Sequence, residues 1–162
     1  MADHEKYATF YLSDIYFGLL AVNVQEVLER LEIVSVPLAP KSLPGIINLR
    51  GQILPVLDLR ERLELASTAD TAIQDSRMVV VRMNEGLMTL LIDKVGDILD
   101  VDASRFEPPG ETLKSTIRHV TSHLCKLDGK LLFVLDTNKL GELPETAPDL
   151  KPDAGIPVPV MT

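Results

Sequence analysis

The chain has 162 residues, enough for one domain or for two small halves that share an interface. Apolar residues make up 46% of it and aromatics only 4%, with no Trp, so a core has to be built mainly of Val, Leu and Ile. The net charge of −8 disfavours nucleic acid and anionic membrane surfaces, both of which repel an acidic face, and leaves other proteins as the expected partners.

Thr9 to Leu12 and Ile15 to Leu20 read as strands joined by a tight turn at Ser13-Asp14. Val24, Val27, Leu28 and Leu31 then recur at helical spacing, although a helical turn opening into a strand fits as well. Ile33 to Val36 is β-branched and extended, and Leu38 to Pro44 reads as loop. Gly45 to Leu49 and Gln52 to Leu57 are apolar arms around Arg50-Gly51, predicting a second hairpin. Pro55 has no N–H to donate, which predicts an edge or a bulge there. A short helix is expected over 59–65, and 64–76 is small and polar, a linker between halves.

Met78 to Met83 and Leu87 to Ile92 flank a turn at Asn84-Glu85-Gly86. Val95 to Val101 matches the Val24 region, and 102–115 reads as loop. Val120 to Leu127 and Leu131 to Leu135 are strands around Asp128-Gly129, followed by a terminal helix from Thr137 to Leu140. From Pro144 onward the chain is rich in proline, and 142–162 is expected to be a mobile tail. Met1 to Lys6 is polar and carries no leader signal. No apolar run approaches the roughly 20 residues that span a bilayer. With a single cysteine, Cys125, there is no internal disulfide. A cytoplasmic chain without membrane insertion is the expectation.

The elements repeat. Leu19-Leu20, Val24 and Glu26-Val27-Leu28-Glu29 recur 71 positions on as Leu90-Leu91, Val95 and Asp97-Ile98-Leu99-Asp100. Leu49-x-Gly51 leading to Val56-Leu57-Asp58 recurs 78 positions on as Leu127-x-Gly129 leading to Val134-Leu135-Asp136. Order and spacing together mark a duplicated subdomain. Many short strands broken by turns then predict an all-β fold, two small barrels packed together with a groove between them.

Shared residues report the scaffold, and differences point to function. Only the first copy reads Asn48-Leu49-Arg50-Gly51. Arg50 is either a solvated turn tip shaped by Asn48 and Gly51, or a planar fork for a carboxylate, with Glu26 the candidate within the chain. Glu26 is equally explained by a helical pairing with Arg30. Val24, Val27, Val95 and Ile98 read mainly as core, with groove lining for an apolar partner as the sharper role. His119, His123 and Cys125 tempt a metal reading, but on a strand they lie too far apart to chelate together. Asp58 and Asp136 match between copies and read as helix caps rather than catalytic carboxylates. No nucleophile elbow, phosphate-cradling loop or zinc-protease motif occurs.

Tyr16-Phe17-Gly18-Leu19, Val24-Gln25-Glu26-Val27, Pro44-Gly45-Ile46-Ile47-Asn48-Leu49-Arg50-Gly51 and Ile53-Leu54-Pro55-Val56-Leu57-Asp58-Leu59 closely resemble the CheW family of bacterial chemotaxis coupling proteins. The likeness continues through Asp93 to Leu99 and Gly129 to Asp136, covering about residues 7–141. It implies an all-β fold of two similar five-stranded SH3-like barrels with a few short helices. These would be pseudo-repeated subdomains, about 7–65 and 77–141, of one domain over 1–141, with exchange of segments between them left open. It implies a non-catalytic adaptor, without cofactor or metal, that joins chemoreceptor cytoplasmic tips to the regulatory domain of the histidine kinase CheA in receptor arrays. Carried over, Val24, Glu26, Gly45 and Arg50 match positions implicated in partner binding. Val95 and Ile98 match positions near a receptor groove, with Asn48 and Gly51 holding the Arg50 hairpin. The rival readings are a small-ligand or enzymatic module using the inter-barrel cleft, and a purely structural array component.

Overall fold

In the computed structural model, residues 4–65 and 76–142 are described. Eleven strands fall among them: β1 (His4–Leu12), β2 (Ile15–Leu20), β3 (Val24–Glu29), β4 (Gly45–Leu49), β5 (Gln52–Asp58), β6 (Arg77–Met83), β7 (Gly86–Ile92), β8 (Lys94–Asp102), β9 (Phe106–Glu107), β10 (Thr121–Leu127) and β11 (Lys130–Leu135). Three short helices accompany them: α1 (Leu59–Arg62), α2 (Ser115–Val120) and α3 (Thr137–Leu140). The all-β expectation holds, and the proline-rich stretch beyond 142 lies outside the described residues, as does most of the expected linker.

The strands form two sheets, ordered β8-β1-β2-β11-β10-β9 and β3-β6-β7-β5-β4. Setting β1, β2, β8, β10 and β11 beside β6, β7, β3, β4 and β5 gives the same order. The same parallel pair sits in each, β11 with β2 and β5 with β7. The repeat seen in the sequence is therefore a repeat of topology. Each sheet nevertheless takes strands from both halves of the chain: the β1–β2 hairpin joins strands of the second half, and β6–β7 joins strands of the first.

Strand alternation explains the core. Met78 and Val80 point into one small cluster with Ile47, Leu54 and Val56, whereas Val79 and Val81 point into a cluster shared by both sheets. In the other sheet Tyr7, Tyr16, Cys125, Leu132 and Val134 fill the equivalent small cluster. Phe10, Phe17, Leu19, Leu57, Leu90 and Leu135 belong to the shared one. Each sheet thus wraps a core of its own and rests its other face on a common layer. The chain beyond β3 crosses to β4 through the Val34–Ile46 bridge, and the chain beyond β8 crosses to β10 as β9. These crossings bring the far edges of each sheet together, as a small barrel requires.

Both aspartates at equivalent strand ends cap helices. Asp58 accepts the N–H groups of Arg60 (3.1 Å) and Glu61 (3.3 Å), and Asp136 those of Asn138 (2.9 Å) and Lys139 (3.3 Å). Arg62, the last residue of α1, donates to the carbonyls of Lys139, Leu140 and Glu142 and so closes the C-terminal end of α3.

The Val24 segment takes the second of its two readings, a single 3-10 turn (Ala21–Asn23) opening into a strand. Local expectations are corrected in two places. Residues 115–120, expected as loop running into strand, form α2, because Ile117 and Val120 turn together into the shared core. Pro55 lies in an internal strand. Its partner Ile46 spends both its backbone groups on Val34, and pairing with β7 begins only at Val56. No ladder bond is asked of the missing N–H.

Candidate functional site

The Arg50 tip is a two-residue hairpin turn. Arg50 (φ +52°) and Gly51 (φ +88°) both have positive φ between the paired residues Leu49 and Gln52, the pattern of a type I′ turn. Asn48 fixes it from below, its Oδ1 accepting the Gly51 N–H at 2.8 Å. The tip therefore points Arg50 back across the sheet edge, where its guanidinium pairs with the Glu26 carboxylate. The alternative pairing of Glu26 with Arg30 needs a helical turn, and β3 is extended. Since β3 and β4 are the two ends of their sheet, the Arg50–Glu26 pair closes the barrel edge to edge. Arg50 remains 67% exposed and Glu26 25%, so the pair is also a polar surface.

Gly45 has a different role. It is buried in β4, and a Cβ there would stand 2.1 Å from the Val34 carbonyl oxygen and 2.8 Å from the Ile33 side chain. It offers no side chain to a partner. It lets the strand crossing approach.

Between the two sheets, β3 and β8 face each other across an apolar groove of about 180 Å³. Val24, Val27, Val95 and Ile98 line it, with Phe10 and Leu19 at its floor. Val27 (46% exposed), Val95 (41%) and Ile98 (60%) are open to solvent, which overturns the reading of these residues as core. Val24 is half-buried and packs against the shared core. Lone exposed apolar side chains are ordinary, but these form a contiguous set in one groove. The two walls are equivalents in the repeat, Val24 with Val95 and Val27 with Ile98. Sequence reasoning did not place Ala8, Thr9 or Ile92 in this lining, because β1 and β7 each pair on one side with a strand from the other half of the chain.

The groove has no ionisable side chain in its lining. A second, wider concavity of about 620 Å³ is bordered by Asp97, Asp100, Arg105, Asp128 and Lys130. Lys130 there donates to the Tyr11 hydroxyl (2.7 Å) and lies 4.7 Å from the Tyr16 ring centroid. The Tyr11 hydrogen bond pushes its pKa up. The histidines do not converge with the cysteine. His119 faces Glu142 (3.0 Å), His123 stacks on Phe106 at 4.9 Å, and Cys125 is buried with its thiol pKa raised by burial. Among the described residues no group of three His, Cys, Asp or Glu side chains is placed to hold a metal ion. None of their helices is long and apolar enough to cross a membrane.

Known proteins share this arrangement. The chemotaxis protein CheW of Helicobacter pylori is 25% identical over 131 residues, covering 81% of this chain and 78% of that protein. The CheW of Thermotoga maritima is 28% identical over 120 residues, covering 74% and 76%. The crystal structure of the scaffolding protein TtCheW from Thermoanaerobacter tengcongensis superposes with a TM-score of 0.80 at 28% identity, over 90% of this chain and 97% of that one. The family model for the CheW-like domain matches residues 6–145. With its two equivalent sheets and most of its length matched, the chain belongs to the CheW-like domain family.

Proposed function

We propose that this chain is a non-catalytic adaptor that couples chemoreceptor cytoplasmic tips to the regulatory domain of the histidine kinase CheA. The observation that carries the reading is the apolar groove between β3 and β8, whose Val27, Val95 and Ile98 are exposed without an ionisable group among them. Such a surface binds an apolar protein face and has no group to move a proton or attack a bond. The named relatives are chemotaxis proteins, and the solved neighbour is a scaffolding protein. Val24, Val95 and Ile98 would dock the receptor, and the Arg50–Glu26 pair beside the groove would orient a partner. Gly45, Asn48 and Gly51 would act indirectly, by holding the hairpin that carries Arg50. Coupling of about 1–3 kcal/mol between the two partners is enough to bias the kinase. The chain would work on the cytoplasmic side, held at the membrane by its protein partners.

The test is to mix the purified chain with CheA and a receptor cytoplasmic fragment and to follow ATP-dependent kinase autophosphorylation. The wild type should place the kinase under receptor control. Arg50→Ala should melt close to wild type, because an exposed ion pair contributes at most about 1 kcal/mol. It should nevertheless associate more weakly in a pull-down. Ile98→Asp should keep the fold and lose receptor binding. A wild-type chain that leaves the kinase indifferent to the receptor would remove the proposal.

A further inference from the structure

The two walls of the groove carry the same irregularity but are held in different ways. Between the pairs Val24–Val81 and Glu26–Val80, β3 has one extra residue, Gln25. Between Phe10–Val95 and Ala8–Ile98, the single residue Thr9 faces both Gly96 and Asp97 of β8. Each wall is thus bulged next to its groove valine, and a bulge re-aims the side chains beside it.

On β8 the bulge is braced from beneath. Thr9 is buried, 2% exposed, and its hydroxyl donates to the Asp97 carbonyl within the bulge. Thr9 Oγ1 in turn accepts from the Tyr16 hydroxyl at 3.1 Å. A Cβ on Gly96 would lie 2.5 Å from it, so the bulge closes onto Thr9 only because position 96 has no side chain. On β3 no such brace exists. The equivalents of Thr9 and Tyr16 are Val80 and Leu87, both apolar, and Glu26 is instead held from outside by Arg50.

Resting on the reading of the groove as the receptor site, we infer that Thr9, backed by Tyr16, is a positioning residue that sets the β8 wall and thereby aims Val95 and Ile98 at the partner. Thr9 belongs to the groove lining but is only 2% exposed, so its side chain acts on the site through the backbone of residues 96–97. One wall of the groove is fixed by a buried relay, and the other by a solvent-exposed ion pair that salt weakens.

The experiment uses Thr9→Val, which keeps the shape and removes the hydroxyl, Thr9→Ser, which keeps the hydroxyl, and Tyr16→Phe, which removes only the upstream donor. Backbone hydrogen exchange of the intact chain is read over 94–102 and over 24–29, and binding of a receptor cytoplasmic fragment is titrated in parallel. Loss of one buried hydrogen bond should speed exchange over 94–102 and weaken binding by about three- to tenfold in Thr9→Val. The 24–29 segment should be unchanged, Thr9→Ser should be near wild type, and Tyr16→Phe intermediate. Wild-type exchange at 94–102 in a folded Thr9→Val overturns the inference, as does faster exchange spread evenly over both sheets. If the wild type itself does not bind the receptor fragment, the functional reading fails, and the exchange data still decide whether Thr9 holds the wall.

Discussion

The two barrels share strand order, bulge position and helix caps, yet they differ at the edge where each closes. Around β3 the closing residues are Glu26 and Arg50, an ion pair. Their equivalents around β8 are Asp97 and Asp128, two like charges that cannot pair. Gly45, pressed against Val34, corresponds to His123, which is exposed and stacks on Phe106. A duplicated scaffold keeps what the fold needs in both copies. What only one copy keeps is free to differ, and Arg50 falls in that class while Asp58 and Asp136 do not.

The largest effect that would test this contrast is Gly45→Asp. A side chain 2.1 Å from the Val34 carbonyl has to push the crossing strand away, so a loss of about 3 kcal/mol or more is expected in a thermal or urea melt. His123→Asp at the equivalent position should cost far less. Equal costs at the two positions would mean that the barrels do not close differently.

Gly51→Ala and Gly129→Ala come next. Both glycines have positive φ, +88° and +72°, and neither would bring a Cβ within 4 Å of another group. Each substitution should therefore cost about 1–2 kcal/mol through backbone strain alone, and by similar amounts. A clear cost at one tip only would break the equivalence of the two glycine positions.

The smallest effect concerns the caps. Burial pushes the Asp58 carboxyl above the usual carboxylate range, and Glu61 adds to this, against the pull of the Glu61 and Arg60 N–H groups. A group with a raised folded pKa favours the fold in its protonated form. Its contribution is present below the ordinary aspartate range and is lost as pH rises through the folded pKa. The wild type should therefore gain on Asp58→Asn as the pH of paired melts falls from about 7 to about 4. A stability difference that stays flat, or that moves the other way, rules out burial as the dominant influence on Asp58.

Much of this was legible in the residue string. The turns at Arg50-Gly51 and Asp128-Gly129 announce hairpins because each ends on a glycine, which tolerates positive φ. Asp58 and Asp136 are readable as caps because a carboxylate before a short helix has two free N–H groups to accept. The sequence allows Glu26 to pair with Arg50 or with Arg30, and whether residues 24–29 coil or extend decides between them. Val27, Val95 and Ile98 read mainly as core in the sequence, because an apolar residue in a strand shows its face but not what lies opposite. Thr9 gave no signal, since a buried hydroxyl acquires meaning only from the carbonyl it meets, 88 positions away.

By itself, the sequence determined the local grammar of this protein: where the hairpins turn, the two aspartate caps and the internal repeat, all of which follow from nearest-neighbour sterics and side-chain alternation. Only the tertiary structure decided that each sheet draws hairpins from both halves, and that β3 and β8 thereby face one another over an apolar groove. Strand exchange of that kind leaves every local pattern intact. It is selected by how well the whole set of apolar faces can be buried at once, and no short stretch of residues carries that quantity.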